Sequence, residues 1–276
     1  MRTVGFIDYY ISEWHANNYP AWIKAASEKL GLDFEVKYAY AELDVSLVDG
    51  VTTDEWCEKM GVTRCSTIAE LCEKADYVII LAPSDPDRHL GLAREALKCG
   101  KRTYIDKTFA PDYATAAEIF RIADENGAEI FSTSALRYAE ELASISPERT
   151  VETTGGGSNL PEYIIHQVEM VVKKLGVGAV STIVNIDGDD TVCRVNYSDG
   201  RAATMRYSRK NPFTFSADGG ESVKISSDFF AGLIEDILRF FAGEENPVPR
   251  EETLEVMKIR EAVIRALATP NTEIKI

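Results

Sequence analysis

The stretch Asp76–Ala82, DYVIILA, is an almost continuous run of apolar residues. Such a run is typical of a strand that is buried on both faces of a parallel sheet. Strand-like and helix-like segments alternate around it, and the other strand-like segments of the first half are Thr3–Ile7, Phe34–Tyr40, Arg102–Ile105 and Glu129–Ser132. Because right-handed crossovers join strands in this pattern, we predict one parallel, doubly wound α/β sheet from these five strands.

Helix signals separate the predicted strands. Thr52 with Glu55 forms a capping-box pattern, and Thr67 with Glu70 repeats it before the next helix. The first helix is predicted to begin at about residue 12 and to kink or restart at Pro20. Since ligands of doubly wound sheets bind at the carboxyl ends of the strands, the segments that follow the strands are where a site is expected.

The second half of the chain follows a different pattern. Val192–Tyr197 and Arg201–Tyr207 flank the tripeptide Ser-Asp-Gly, which is a strong signal for a β-hairpin. We predict a smaller α+β domain with a mostly antiparallel sheet over residues 136–276, after a first domain at residues 1–135. The sequence leaves open that the closing helices within 229–276 pack on the first domain. Further strands are predicted at 150–154, 213–215 and 222–225, and helices at 159–175, 229–241 and 251–267.

Composition excludes several classes of protein. With 276 residues, 45% of them apolar and 27% charged, the chain has the composition of a folded protein rather than a disordered one. The net charge of −15 argues against nucleic acid or a membrane surface as a partner. The five cysteines are odd in number and form no CxxC pair, so we expect reduced thiols, no metal site and a cytoplasmic location. Neither a signal peptide nor an apolar run of the ~20 residues that span a bilayer is recognisable.

Several short motifs occur in the order in which one enzyme family carries them. They are Gly5–Ile7 followed by Ile11–Ala16, Ile80–Pro83 followed by His89, Tyr104–Lys107, Leu136–Tyr138, Glu162 with His166 four residues later, and the tail Ile234–Gly243 with Pro247 and Pro249. Over nearly its whole length the chain resembles the Gfo/Idh/MocA family, whose members oxidise or reduce sugars, inositols and related polyols with NAD or NADP. The resemblance implies a Rossmann-type first domain and a second domain for substrate binding and oligomerisation.

Three residues match the positions that carry catalysis in that family. The resemblance implies that Lys107 hydrogen-bonds the reacting oxygen, where a cation stabilises alkoxide-like charge. It implies that His166 is the base, a role that suits imidazole because its ordinary pKa lies near neutral pH. Glu162 replaces the aspartate of the family motif and would orient His166 or bind a neighbouring hydroxyl. The structural alternatives are a solvated lysine, a packed histidine, and a helix cap formed by Glu162 with Asn159.

The resemblance also implies a set of cofactor-binding residues, from which this chain departs in part. Where the family's loop reads G-x-x-G-x-G, this chain has Gly5, Asp8 and Tyr10. Glycine allows the backbone to approach a diphosphate, whereas Asp8 adds negative charge and Tyr10 adds bulk, so we expect weak or displaced binding of NAD or NADP. Thr108 replaces the proline of the family's Glu-Lys-Pro. The implied cofactor-binding residues are Ile7, Asp8, Tyr10, Ile11, Ser12, Ala82, Pro83, His89 and Asp106.

The expected partners are a small-molecule substrate and further copies of the chain, in a homodimer or homotetramer. Arg137 and Tyr138 are implied to bind substrate, although Arg137 has the alternative of a surface ion pair. Two other functions stay open. One is a catalytically inactive or regulatory relative that has lost ordinary dinucleotide binding, and the other is a lyase or epimerase on the same fold.

Overall fold

Six parallel strands form the sheet of the first structural unit, in the order β3-β2-β1-β4-β5-β6. The computed structural model describes residues 1–276 and divides them into two units. All five strands predicted for this sheet are present and parallel, which confirms the prediction, and the two-residue strand β3 is an addition at the edge. The strands are β1 (Arg2–Asp8), β2 (Phe34–Ala41), β3 (Thr63–Arg64), β4 (Tyr77–Ile80), β5 (Thr103–Ile105) and β6 (Ile130–Phe131).

The helices between these strands begin and end at the residues that the sequence signals. The capping box of Thr52 and Glu55 is present in full, and the Thr67 hydroxyl accepts from the Glu70 N–H. The first helix differs from the prediction, because it runs through Pro20 without a break and takes Glu13 as its N-cap. The helices are α1 (Trp14–Leu30), α2 (Thr53–Met60), α3 (Ile68–Lys74), α4 (His89–Ala96) and α5 (Tyr113–Asn126), with short 3-10 turns at Pro86–Arg88 and Leu97–Cys99.

A helix from late in the chain completes the first unit. The unit comprises Met1–Ala110, Ala114–Ser132 and Leu233–Val248, so that most of α8 (Phe229–Ala242) belongs to it. The ring of Phe241 stacks on Tyr77 with centroids 4.8 Å apart. Two aromatic residues of the helix, Phe240 and Phe241, are almost fully buried. Residues that are distant in sequence thus share one hydrophobic core.

The second unit has a seven-stranded mixed sheet in the order β12-β11-β7-β10-β9-β8-β13. Every neighbouring pair is antiparallel except β7 with β10, and the predicted hairpin is present as β9 and β10. Strands β8 and β13 are absent from the prediction, because the polar residues Ser181, Thr182 and Asn185 obscure the alternation in β8. The strands are β7 (Thr150–Gly155), β8 (Ala179–Asp187), β9 (Asp190–Tyr197), β10 (Ala202–Tyr207), β11 (Thr214–Ala217), β12 (Val223–Lys224) and β13 (Glu273–Lys275).

Helix α7 carries the core of the second unit. This unit comprises Pro111–Tyr113, Thr133–Gly232 and Pro249–Ile276. Helix α7 packs against β7, β10 and the last helix, and most of its residues are buried. No helix of the protein combines the length and the apolar character needed to cross a membrane. The helices of this unit are α6 (Glu140–Ala143), α7 (Leu160–Leu175) and α9 (Arg250–Leu267), with a 3-10 turn at Ala135–Tyr138.

Gly5 is required for packing within the first unit. A Cβ atom added to Gly5 would lie 2.5 Å from Leu71 Cδ2 and 3.0 Å from the Cβ of Ala75. Both neighbours are in or next to α3, so the missing side chain of Gly5 lets α3 approach β1. The glycine that resembles the start of a nucleotide-binding loop therefore has a packing role of its own.

We expect Gly5→Ala to lower the free energy of unfolding by about 1–3 kcal/mol, the usual cost of overpacking a core. Urea denaturation measures it. The double mutant Gly5→Ala/Leu71→Ala should lose less unfolding free energy than the sum of the losses in the two single mutants, because the smaller residue 71 makes room for the added Cβ. Gly91→Ala is the matched control, because nothing lies within 4 Å of the added Cβ in α4. A loss of stability with Gly5→Ala no greater than with Gly91→Ala would contradict the packing role.

Candidate functional site

Asp8 lies at the point of the parallel sheet where the strand order reverses. It is the last residue of β1 and is 1% exposed. Its Oδ1 atom accepts from the N–H of Tyr9 at 2.7 Å and from the N–H of Ala82, beyond the end of β4, at 3.0 Å. Ligands of doubly wound sheets bind in the crevice at this reversal. A carboxyl group of the chain itself therefore bridges the two strand ends that border the crevice.

The other oxygen of Asp8 has no hydrogen-bond partner. Oδ2 is buried and unpaired, which is uncommon for a carboxyl group. Burial raises the pKa of Asp8 well above its usual range, and the nearby Glu13 raises the pKa further. Both effects favour the protonated form of Asp8.

Glu13 occupies the N-terminus of α1. Its carboxylate accepts from the backbone N–H of His15 at 2.7 Å and from that of Ala16. Burial raises the pKa of Glu13, while His15 and these N–H groups lower it in part. The N–H groups of a first helical turn are the donors that otherwise bind an external anion such as phosphate. In this protein an internal carboxylate accepts from two of them.

The loop between β1 and α1 is fixed by the segment that follows β2. The Ser12 hydroxyl donates to Asp49 Oδ2 at 2.8 Å, and the Ser46 hydroxyl donates to the Ser12 carbonyl at 2.7 Å. The side chains of Ile7 and Ile11 are buried in the core, and Tyr10 is half-buried. Ile7 and Ile11 could therefore meet a ligand only through their backbone.

A buried contact between Asp106 and His15 joins the end of β5 to the start of α1. Asp106, which follows β5, pairs with Nδ1 of His15 and accepts from the Tyr104 hydroxyl at 3.1 Å. Burial raises the pKa of Asp106, but His15 and the neighbouring donors outweigh burial and leave this pKa below its usual value. Asp106 is therefore ionised at neutral pH, whereas burial favours the protonated form of Asp8. Carboxyl groups with opposite shifts in one crevice are a feature of functional sites.

Lys107 follows Asp106 at the same edge of the sheet. Its Nζ atom donates to the carbonyl of Pro83, beyond β4, at 3.0 Å, and the side chain is half-buried. The peptide bond to Thr108 is cis. Pro83 and Lys107 come from neighbouring strands, so the structure brings these two predicted site residues together at the carboxyl edge. An ammonium group with three donors keeps capacity for a ligand there.

His89 has a different environment. It is fully buried, with Nε2 close to the Leu81 carbonyl and Nδ1 3.1 Å from the Phe109 carbonyl. Burial lowers the pKa of His89, while the two carbonyl oxygens at its ring nitrogens offset part of this shift. Of the residues predicted to contact cofactor, His89 is the one whose surroundings are most clearly those of a packed core residue.

In the second unit the structure pairs His166 with Ser134. Nδ1 of His166 lies 2.6 Å from the Ser134 hydroxyl, and the rings of Tyr163 and Phe213 pack on the imidazole. The carboxylate of Glu162 accepts instead from Ser158 at 3.1 Å and from Asn159 at 3.0 Å. Glu162 therefore takes part in the cap of α7, and the side chain that contacts Nδ1 of His166 is Ser134.

Arg137 is engaged by two carboxylates of the protein. The guanidinium is buried and contacts Glu169 Oε2 at 3.2 Å and also Glu252. Arg137 thus forms ion pairs with the protein's own carboxylates, and these pairs are buried rather than on the surface. Tyr138 is half-buried and packs on Gly232, where an added Cβ would lie 2.9 Å from the Cβ of Tyr138.

Three residues of these sites are absent from the sequence-based prediction. Glu13 directly precedes α1, and this position before the helix was the sequence feature that could have indicated its contact with the helix N-terminus. Ser134 lies in the Ser-Thr-Ser run after β6, where hydroxyl groups are ordinary turn residues. Glu169 follows His166 by three positions, which places both on one face of a helix.

Comparison with solved structures identifies the fold. GenD2 from gentamicin A biosynthesis, solved with NAD, superposes with a TM-score of 0.77 at 13% identity, over 100% of this chain and 96% of that one. A candidate myo-inositol dehydrogenase of Sinorhizobium meliloti 1021 gives 0.76 at 14% identity, with both chains fully covered. The biliverdin reductase of Synechocystis sp. PCC 6803, solved with biliverdin and NADP+, gives 0.66 at 13% identity over 98% and 99%.

The chain therefore has the fold of Gfo/Idh/MocA-type NAD-binding oxidoreductases. No protein-family model and no curated protein matches its sequence.

The residues at α1 fit the diphosphate of a dinucleotide poorly in the state that the structure shows. The diphosphate ordinarily accepts from the N–H groups of the first helical turn. Here Glu13 already accepts from two of them, and Asp8 replaces a glycine of the family loop. Farther along the edge, Lys107 supplies a cation and Asp106 an ionised carboxylate. We expect a dinucleotide to bind weakly, or with its diphosphate displaced from α1.

Replacing both Asp8 and Tyr10 by glycine is expected to strengthen NADH or NADPH binding, because the double mutant removes a carboxyl group and a bulky ring from the loop. Glu13→Gln should also strengthen binding, since it removes a negative charge from the helix N-terminus. Fluorescence titration of NADH and NADPH measures both effects. Asp189→Gly, at the exposed turn between β8 and β9, controls for the loss of a carboxyl group elsewhere in the protein. Unchanged or weaker affinity in all of the loop variants would exclude these residues as the obstacle.

Asp8→Asn should raise stability most at high pH. The folded protein holds the Asp8 proton more tightly than the unfolded chain does, because burial raises the pKa. The contribution of Asp8 is therefore fully present below its ordinary pKa and is lost as the pH rises through the raised pKa. Asparagine does not ionise, so the stability difference from wild type should grow across the pH range that begins at the ordinary pKa of aspartate and extends upward to the raised pKa. Urea denaturation across this range measures it, with exposed Asp189→Asn as the control. A difference that does not change with pH would contradict the raised pKa.

Proposed function

We propose that the protein is an NAD(P)-dependent oxidoreductase. It would transfer hydride between the nicotinamide ring and a hydroxyl or carbonyl group of a sugar-, inositol- or polyol-like small molecule. The observation that carries the proposal is the position of Lys107 at the carboxyl edge of a doubly wound sheet, beside Pro83. Solved proteins with this fold hold NAD or NADP+, which supports the choice of cofactor. The bound nicotinamide would supply the hydride acceptor or donor.

Lys107 is proposed to bind the oxygen of the substrate carbon that reacts. During oxidation of an alcohol this oxygen loses its proton and gains negative character as hydride leaves. A fixed ammonium group stabilises that charge more in the transition state than in the ground state, which is the condition for catalysis. The bond to the Pro83 carbonyl uses one of the three donors of Nζ and orients the others.

His166 is proposed to move the substrate proton. It would accept the proton when an alcohol is oxidised and return it when a carbonyl is reduced. The Ser134 contact at Nδ1 leaves Nε2 as the nitrogen on the opposite edge of the ring. Productive transfer requires Nε2 within about 2.6–3.2 Å of the substrate oxygen, directly or through one water.

A second candidate function is favoured by the carboxyl groups at the first loop. Asp8 and Glu13 occupy the region where a dinucleotide normally places its diphosphate, as expected for a relative that has lost ordinary cofactor binding. Such a protein would act as a binding or regulatory protein. Titration with NADH and NADPH separates the two candidates, because only the oxidoreductase should bind either one below millimolar concentration.

Lys107→Met should lower kcat on the order of 10²–10³-fold and leave the fold intact, because it removes the charge and keeps the aliphatic stem. His166→Asn should lower kcat as well, and it should abolish any rise of rate through neutral pH. NADH absorbance measured with a panel of sugars and polyols gives the rates. Lys98→Met is the control, since Lys98 is exposed and pairs only with Glu95. Wild-type turnover by Lys107→Met would refute the assignment.

A further inference from the structure

We infer that Ser134 is a positioning residue for His166, holding the imidazole with its proton on Nδ1 so that Nε2 exchanges the proton with substrate. This inference rests on the proposed function, in which His166 carries the proton. No motif in the sequence points to Ser134. The contact that does so is the 2.6 Å separation between its hydroxyl oxygen and Nδ1.

The burial of the two partners differs in the way that this role requires. Ser134 is fully buried, whereas His166 is only half-buried. The Nδ1 edge of the ring therefore faces the interior of the second unit. Since Ser134 is inaccessible to a substrate, it cannot serve as a nucleophile activated by His166. The hydroxyl of Ser134 can instead control the orientation and the tautomer of the His166 ring.

The hydroxyl of Ser134 can accept from Nδ1–H in both protonation states that catalysis uses. Neutral imidazole with its proton on Nδ1 offers the lone pair of Nε2 to a substrate hydroxyl. After Nε2 has accepted the substrate proton, the imidazolium ion still donates from Nδ1 to Ser134. The second lone pair of the serine oxygen accepts from the Leu136 N–H at 3.3 Å. A serine oxygen with two lone pairs accommodates both donors.

Glu169 fixes Ser134 relative to the helix that carries His166. Glu169 is buried, and its carboxylate accepts from the Ser134 N–H at 3.1 Å and from the Thr133 hydroxyl at 3.0 Å. Burial raises the pKa of Glu169, while Arg137 offsets part of this rise. The turn at 133–137 is thus joined to α7 twice, through the Ser134 backbone at Glu169 and through its side chain at His166. Both contacts together determine where the hydroxyl lies.

The charged groups around this part of α7 have partners of their own. On α7, Glu162 belongs to the cap and Glu169 binds Arg137, while Glu252 of α9 pairs with the other side of Arg137. Arg260 of α9 donates to the carbonyl of Pro161. Tyr163 and Phe213 contact His166 through their rings. The hydroxyl of Ser134 lies 2.6 Å from Nδ1, so we expect its removal to change the tautomer of the ring.

The chain has three histidines, so nitrogen NMR can resolve His166. His166→Asn identifies its signals by their loss. We expect neutral His166 of the wild type to carry its proton mainly on Nδ1. Ser134→Ala should shift the ring towards the Nε2–H tautomer, and Ser134→Thr, which keeps the hydroxyl, should restore it. Ser144→Ala, at an exposed serine, is the control and should change nothing.

Activity provides the second readout. Ser134→Ala should lower kcat about 10–100-fold, as loss of a group that orients a functional histidine commonly does, with little change in KM. It should also shift the pH profile of kcat, and Ser134→Thr should recover both. Unchanged His166 tautomers in folded Ser134→Ala would overturn the inference, as would an unchanged pH profile of kcat. If the wild type turns over no substrate, the proposed function fails, while the NMR comparison still decides the role of Ser134.

Discussion

The central strands of the parallel sheet are buried on both faces, and this constraint determines where polar chemistry can occur. Within β1 and β4 the side chains facing the core are apolar, and the first buried carboxyl group of β1 is its last residue, Asp8. Polar groups therefore collect at the strand ends and just beyond them, where Asp8, Asp106 and Lys107 lie. A buried carboxyl group must be protonated, paired or hydrogen-bonded. Asp8 and Asp106 meet this requirement in opposite ways, because burial favours protonation of the first and His15 keeps the second ionised.

Much of the fold follows from local patterns. The apolar run at 76–82, the capping box at Thr52 and the hairpin around Ser198–Gly200 each depend on residues close in sequence, and each is present in the structure. Local patterns were less informative where long-range contacts determine whether a segment forms a helix or a strand. Helix α1 tolerates Pro20, because the packing of the helix outweighs the lost backbone hydrogen bond. Strand β8 is stabilised by pairing with β9 and β13 despite its polar residues.

The candidate sites were predictable to a smaller extent. The order of the motifs pointed to Lys107 and His166, but the partners of these residues come from other parts of the chain. Ser134 lies 32 positions before His166, and Ala82 lies 74 positions after Asp8. A sequence pattern can indicate that a residue type suits a role, whereas the hydrogen bonds that tune it depend on the tertiary structure. Glu162 is an example. The sequence is compatible with a role at His166 and with a role in the helix cap, and in the structure its carboxylate makes the contacts of a helix cap.

The division of the chain between the two units has a consequence for folding during synthesis. The first unit needs residues 233–248, which follow most of the second unit, and the second unit is completed only by residues 249–276. Neither unit corresponds to one continuous stretch of the chain. While the protein is being synthesised, the aromatic surface around Phe34 and Tyr77 stays without Phe241 until α8 has left the ribosome. The nascent chain can therefore complete its first core only after residues 233–248 have left the ribosome, and a fragment that stops at the end of the parallel sheet would expose this surface to aggregation.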